Sequence, residues 1–336
     1  MEKQKHIFVC SLIFIAIICL TIMNIKYDRL SRYPYQEKEA REIIDKYLSD
    51  EEIEYIIEYS IAPNVFISFI DVDGFNIYHA SEYKELSKLR WQNTPDEIVE
   101  MVEKTRDYID IQTLDNYLYQ YTFDEILYLL TNDDPYTDNM IICDNANEDI
   151  AYVDDNYSIG IKAPNNLETI DNNIIETSGN IELTHNANEA LANMCKAMEH
   201  DEAFANSKCG DLMINKGYVS YSEQKLLYDK LQSSIDNVSG TIFAPGHDEH
   251  QLGLAFDVSV SGLDEVNFYK TNQYLWLHEN AYKFGFIETL SEKNMNVTNK
   301  VAKPYHFRYV TKEMALKIHD QNITLKEALN KGYLAE

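Results

Sequence analysis

Two short segments in the C-terminal third alternate between apolar and polar residues in the manner of β-strands. In residues 256–261 (FDVSVS), the period of 2 places Asp257 on the face opposite Phe256. In residues 305–309 (YHFRY), His306 shares one face with Arg308. A strand with one apolar face has to bury that face in a sheet, so these segments constrain the fold strongly. We predict two half-buried strands that pair with each other.

Potential metal ligands lie on the polar faces of these strands and in the loop before the first. They are His250, Asp257 and His306. Two imidazoles and a carboxylate, with a fourth position left to water, are the donor set of a catalytic zinc site. The spacing is also compatible with two unrelated strands that carry ordinary polar residues. Both interpretations remain open from the residues alone.

A series of motifs surrounds the three residues in a fixed order. They are residues 217–224 (GYVSYSEQ), 250–257 (HQLGLAFD), 276–277 (WL), 280–287 (NAYKFGFI), 304–310 (PYHFRYV) and 323–325 (ITL). Together they resemble the VanY-type D-alanyl-D-alanine carboxypeptidases, the M15B zinc metallopeptidases that trim the peptide stems of peptidoglycan. The resemblance covers residues from about 153 to the C-terminus. It implies a bound Zn²⁺ with His250, Asp257 and His306 as ligands.

The resemblance also implies a set of polar side chains that contact the substrate, a peptidoglycan stem peptide. These are Tyr218, Ser220, Gln224 and Tyr305.

This chain departs from the family pattern at the positions that carry the chemistry. Lys303 stands where the family has the glutamate that accepts a proton from the metal-bound water. An ammonium beside a dication can act as a base only if its pKa falls by several units. Val219 replaces the arginine that clamps the substrate's terminal carboxylate, and valine cannot make that contact. Asp248 replaces a serine, and Tyr305 replaces a tryptophan.

Two functional hypotheses follow from these departures. The first is a divergent or impaired D-alanyl-D-alanine carboxypeptidase, in which Asp248 or Glu249 serves as the base and Lys303 as the carboxylate clamp. A neutral Lys303 acting as the base is a variant of this hypothesis. The second is an inactive pseudopeptidase that keeps zinc for stability, with His247 as a fourth ligand. It would bind cell-wall peptides or a protein partner without cutting them.

The N-terminal region predicts a membrane anchor within residues 1–28. Residues 7–23 form an uncharged apolar run just long enough to span a bilayer, and no small-x-small cleavage site follows it. A buried core helix is the alternative. The family's cell-wall substrate then implies a single-pass protein with its large domain outside the cell. The net charge of −27 argues against nucleic acid and anionic lipid as partners, because both require a basic surface.

The remaining organisation indicates an α+β protein with two regions after the anchor. Residues 29–150 are predicted to form an extracytoplasmic, helix-rich spacer, because three capping boxes there start helices: Ser49 with Glu52, Thr94 with Glu97, and Thr122 with Glu125. Residues 151–336 are predicted to form the VanY-like domain, a small antiparallel sheet with flanking helices. The sequence does not decide whether Cys195 and Cys209 form a disulfide.

Overall fold

The chain divides into two compact units. A computed structural model describes residues 2–131, 140–204, 208–234 and 240–333, and the units are residues 1–115 and 116–336. The division lies upstream of the predicted boundary at residue 150. The described residues of 116–150 belong to the second unit because they contact its later segments: the Tyr128 and Tyr221 hydroxyls are 2.8 Å apart, and Ile141 pairs with Tyr157.

The first unit is helical, as predicted. Its α-helices are α1 (Glu2–Tyr27), α2 (Lys38–Tyr47), α3 (Asp50–Glu58), α4 (Pro63–Phe66), α5 (Ala80–Leu89), α6 (Pro95–Thr105) and α7 (Ile111–Tyr117), the last of which crosses the division. Reciprocal capping-box hydrogen bonds fix the starts of α3 and α6. The apolar faces of α2, α3 and α4 pack around a core that includes Ile44, Ile53, Ile56 and Phe66.

Helix α1 covers the segment predicted to be a membrane anchor. Its side chains from Val9 to Met23 are exposed, so the alternative of a buried core helix is wrong. Among the residues that the structure describes, no helix has both the length and the apolar character needed to cross a membrane. The prediction of a membrane-spanning anchor within residues 1–28 is therefore not confirmed.

The second unit mixes strands and helices without βαβ repetition, which confirms the α+β class. Its helices are α8 (Phe123–Thr131), α9 (His185–Glu199), α10 (Tyr221–Gln232), α11 (Asn272–Asn280), α12 (Met295–Thr298), α13 (Lys312–Gln321) and α14 (Leu325–Asn330). Its strands are β1 (Ile141–Ile142), β2 (Tyr157–Ser158), β3 (Leu167–Thr169), β4 (Glu176–Thr177), β5 (Glu182–Thr184), β6 (Leu212–Lys216), β7 (Ala255–Val260), β8 (Phe286–Ile287) and β9 (His306–Tyr309).

The main sheet has five strands in the order β4-β6-β7-β9-β8. All neighbouring pairs are antiparallel except β4 with β6, so the sheet is mixed rather than wholly antiparallel as predicted. The two strands predicted from alternation do pair, with Asp257 opposite His306. They are not half-buried, however. Strand β7 is central, and Asp257 and Ser259 on its polar face are buried, as is Phe256 on the other face.

A rigid hydrophobic core lies behind the polar face of this sheet. The rings of Phe256 and Phe307 stack with centroids 5.8 Å apart, and Phe286 meets Phe256 edge-on at 5.3 Å. A disulfide joins Cys195 near the end of α9 to Cys209 ahead of β6. The aromatic packing thus supports β7, β8 and β9, and the disulfide ties α9 to the segment before β6.

Candidate active site

Three buried side chains converge where the loop before β7 meets strands β7 and β9. Ligand atoms of His250, Asp257 and His306 all lie within 4.8 Å of one another, and we call these residues the His/Asp/His triad. The His250 Nε2 is 3.3 Å from Asp257 Oδ1, and the His306 Nδ1 is 2.8 Å from the same oxygen. In the described part of the chain, this is the one group of three or more His, Cys, Asp and Glu residues arranged in this way.

The first histidine of the triad is held in one orientation by backbone carbonyls. Its Nδ1 is 2.9 Å from the Gly217 oxygen and 3.2 Å from the Ala255 oxygen. A carbonyl oxygen only accepts hydrogen bonds, so Nδ1 carries the hydrogen and the lone pair is on Nε2. That lone pair lies on the side of Asp257. Metal-binding histidines are commonly oriented through their second nitrogen in this way.

The second histidine is oriented by a buried carboxylate. The Nε2 of His306 is 2.9 Å from Glu249 Oε2, while its Nδ1 is the nitrogen near Asp257. Glu249 also accepts a hydrogen bond of 2.6 Å from the Thr289 hydroxyl and lies 3.8 Å from Nε of buried Arg308. Glu249 therefore lies across the imidazole ring from the triad. This position suits Glu249 to orienting His306, whereas its role as a stand-in base stays a prediction.

The loop that carries His250 closes through a glycine. Gly253 has φ of +66°, and its N–H donates a 3.0 Å hydrogen bond to the His250 carbonyl. A Cβ on this residue would come within 2.8 Å of Leu167 Cδ2 and 3.2 Å of Thr184 Cγ2. Both the left-handed backbone and the close packing therefore require glycine here.

The electrostatics favour a deprotonated carboxylate at the centre of the triad. Burial alone would raise the pKa of Asp257, but the two histidines hold it well below its usual range. For His306, burial acts to lower the pKa, yet the hydrogen bonds to Asp257 and Glu249 outweigh it and raise the pKa to about 9. Burial and the charge of Lys216 lower the pKa of His250. Once His306 loses its proton, an anionic oxygen flanked by two neutral imidazoles is a donor set that suits a borderline cation such as Zn²⁺.

Comparison with known proteins agrees with the geometry. Residues 180–312 match the family model of VanY, described as D-alanyl-D-alanine carboxypeptidase. This part of the chain is a VanY-type domain. A D-alanyl-D-alanine carboxypeptidase of Enterococcus faecalis is 40% identical over 89 residues, which are 26% of this chain and 32% of the relative. One of Enterococcus faecium is 26% identical over 185 residues, 53% of this chain and 57% of that protein.

The solved structure of the LD-carboxypeptidase LdcB resembles part of the chain. The TM-score is 0.51 at 29% sequence identity, and the match covers 58% of this chain and 92% of LdcB. The chain thus spans most of LdcB but only 32% and 57% of the two enterococcal relatives.

Two residues predicted to bind substrate, Ser220 and Gln224, make side-chain hydrogen bonds within the VanY-type domain. The Ser220 hydroxyl caps α10 by accepting a hydrogen bond from the Glu223 N–H. Gln224 is completely buried, and its Nε2 donates a 2.7 Å hydrogen bond to the Phe243 carbonyl. Both side chains thus make hydrogen bonds within the domain, and their contact with a substrate stays a prediction.

The other predicted residues are Tyr218, Tyr305 and Lys303. Tyr218 is half-buried. Burial and the nearby charge of Asp257 raise the pKa of Tyr305 to about 12, so its hydroxyl remains a hydrogen-bond donor at neutral pH. The Lys303 ammonium makes no hydrogen bond or ion pair with the described residues, although its charge helps to lower the pKa of Asp248.

Asp248 and His247 both lie in the His250 loop, but their side chains contact different parts of the domain. Asp248 is buried, accepts a 2.9 Å hydrogen bond from the His250 N–H and has Oδ2 4.0 Å from the Lys216 ammonium. His247 directs Nδ1 to the Asp154 carbonyl at 2.7 Å and does not join the triad. The predicted fourth ligand is therefore not brought into place.

Two charged residues beside the triad were missed by the sequence reasoning. Lys216 ends β6 and lies directly opposite Asp257. Glu265 begins the short 3₁₀-helix Glu265–Lys270 and is half-buried; burial and the charge of Asp257 raise its pKa. Neither residue belongs to a motif shared with the family, and strict alternation along β6 would place Lys216 on the core face with Ile214.

Proposed function

We propose that the chain is a zinc-dependent D-alanyl-D-alanine carboxypeptidase-like protein that acts on peptidoglycan stem peptides. The observation that supports this most is the buried His/Asp/His triad, with both histidines oriented through their outer nitrogens. His250 Nε2, an oxygen of Asp257 and His306 Nδ1 would hold the zinc ion. The bound ion would supply a Lewis acid and lower the pKa of a bound water toward neutrality.

The residues around the triad are better suited to binding and orienting a peptide than to accepting a proton from a water molecule. Tyr305 retains a hydroxyl that can donate to a peptide carbonyl. Lys303 takes the position of the family's glutamate, and its positive charge is unsuited to accepting a proton from water beside a metal. Glu249 is bound to His306, Thr289 and Arg308 and does not replace that glutamate. We therefore propose slow release of D-alanine.

The position of Lys303 also favours a second candidate function. In this alternative the domain binds stem peptides, or a protein partner, at the zinc site without hydrolysing them. The triad, the orienting contacts and the peptide-binding surface would be the same in both cases, and only turnover would differ.

The decisive experiment measures D-alanine release from a synthetic stem pentapeptide by the zinc-loaded chain. We expect slow release by the wild type and faster release by the double variant Lys303→Glu with Val219→Arg, which restores the family's base and clamp. Exposed Lys230 provides the matched control Lys230→Glu. Peptide binding with no release by either protein would favour the binding function. Brisk release by the wild type would refute the proposed loss of the base.

We also propose that the domain works outside the cytoplasm. The Cys195–Cys209 disulfide supports this location, because such bonds persist mainly in oxidising compartments. Rapid alkylation of intact cells, followed by mass spectrometry of the purified chain, tests the proposal. The two cysteines should be unlabelled unless the chain is first reduced, and full labelling without reduction would contradict it.

A further inference from the structure

The register of β6 brings a lysine into the same row as two members of the triad. Met213 pairs with Ser259 and Ile214 with Val258, but the register then shifts, and Lys216 pairs with Asp257. Asp257 in turn pairs with His306 on β9. Side chains directly opposite each other in antiparallel strands project from the same face, with Cβ atoms roughly 5 Å apart. The Lys216 side chain therefore leaves the sheet on the face of the triad.

The ammonium of Lys216 has one distant ionic contact among the described residues. Among the described carboxylates, the one within ion-pair distance is Asp248, with 4.0 Å between Nζ and Oδ2. That separation is too long for a hydrogen bond. The side chain keeps 27% of its surface exposed, and an ammonium offers three N–H donors to a ligand.

The residue at the family's clamp position cannot supply this contact. Val219 is 9% exposed, and its N–H donates to the His250 carbonyl at 3.3 Å. Its aliphatic side chain offers no donor to a carboxylate. Lys216 lies three residues earlier in the chain and is brought to the site by the register shift.

We infer that Lys216 anchors the terminal carboxylate of a peptide bound at the His/Asp/His triad, in place of the arginine that Val219 replaces. This inference rests on the proposed function and names the residue that selects peptides with a free C-terminal carboxylate. An ammonium is a single-point donor and lacks the bidentate geometry of a guanidinium. The anchor is accordingly weaker than an arginine clamp, and Lys216→Arg should preserve it.

The test compares the binding of two peptides by the full, zinc-loaded chain. One is a stem pentapeptide ending in a D-alanine carboxylate, and the other is the same peptide with a C-terminal amide. Calorimetry measures both affinities, so the result does not depend on turnover. We expect the wild type to bind the acid at least about tenfold more tightly than the amide, in keeping with a charge-assisted contact.

The variants assign that preference to one residue. Lys216→Met should bind acid and amide equally, whereas Lys216→Arg and the exposed control Lys230→Met should keep the preference. The zinc content of each protein is also measured, so that a preference lost because a variant no longer binds zinc can be recognised. The inference would be overturned if Lys216→Met still bound the acid more tightly than the amide. It would also be overturned if Lys303→Met, and not Lys216→Met, lost that preference. Either result would leave the proposed function standing. A wild type that binds neither peptide would overturn both.

Discussion

Replacing Glu249 with glutamine tests whether this residue supports the site rather than acting as a base. The substitution keeps the shape of the side chain and can keep the hydrogen bonds to His306 and Thr289, which are 2.9 Å and 2.6 Å long. It removes the negative charge 3.8 Å from Nε of Arg308, a side chain that is completely buried. A residue that acted only as a base would be dispensable for folding.

The size of the effect follows from the surroundings of Arg308. Among the described residues, its Nε and Nη1 have no hydrogen-bond partner, and its Nη2 donates to the Ala151 carbonyl at 2.7 Å. The Glu249 charge is therefore important for compensating this buried cation. Leaving a buried charge uncompensated typically costs about 3–5 kcal/mol. We expect Glu249→Gln to lower the free energy of unfolding of the metal-free chain by about 3 kcal/mol.

Urea unfolding followed by tryptophan fluorescence measures this change. Trp276 is 2% exposed in the core of the second unit, whereas Trp91 in the first unit is 76% exposed, so the blue-shifted emission reports on the second unit. Glu313→Gln on α13 changes a more exposed carboxylate and serves as the control. An unfolding free energy for Glu249→Gln within about 0.5 kcal/mol of the wild type would refute the supporting role.

Three further predictions concern the triad and its framework. Apparent zinc affinity, measured in competition titrations, should rise by up to about tenfold per pH unit between pH 7 and 9. The reason is that the pKa of His306 is raised to about 9, and its proton must leave before the nitrogen can bind zinc. A zinc affinity that does not change with pH would exclude His306 as a ligand. Cys195→Ser with Cys209→Ser should lower unfolding free energy by about 3 kcal/mol, since the bond closes a loop with a sequence separation of 14; an unchanged urea midpoint would contradict this. Gly253→Ala should destabilise the chain by at least about 1 kcal/mol in the same assay, because its φ is +66° and Leu167 blocks a Cβ; equal stability would contradict the steric argument.

The local sequence was sufficient to predict the helices that begin with capping boxes. Ser49 and Thr94 each exchange hydrogen bonds with the glutamate three residues later, and Thr122 does the same with Glu125. These features depend on interactions within one turn of the chain, so the sequence pattern contains the necessary information.

The grouping of the triad was predictable for a similar reason. Alternation placed Asp257 and His306 on polar faces of two strands, and the pairing of those strands brings the residues opposite each other. The orientation of Glu249 was not predictable, because it lies in a loop without periodicity. Its contacts with Thr289 and Arg308 come from segments about 40 and 60 residues away.

Lys216 shows most clearly where alternation fails. Period 2 assigns it to the face of Leu212 and Ile214, but the register shift after Ile214 places it opposite Asp257. An irregularity of this kind depends on both strands and on the turn that follows, so a single strand's sequence does not reveal it. The predicted boundary at residue 150 differed from the observed division because Tyr128 and Ile141 contact Tyr221 and Tyr157, which lie further along the chain.

The most direct test of the account is the zinc content of the purified full-length chain. Elemental analysis after dialysis against trace zinc should give about one zinc per chain, with anomalous scattering at the zinc edge between His250, Asp257 and His306. Asp257→Asn should lose most of that zinc, while Glu313→Gln should retain it. A wild-type chain that carries no zinc, or one that keeps its zinc after Asp257→Asn, would contradict the assignment of the triad as the metal site.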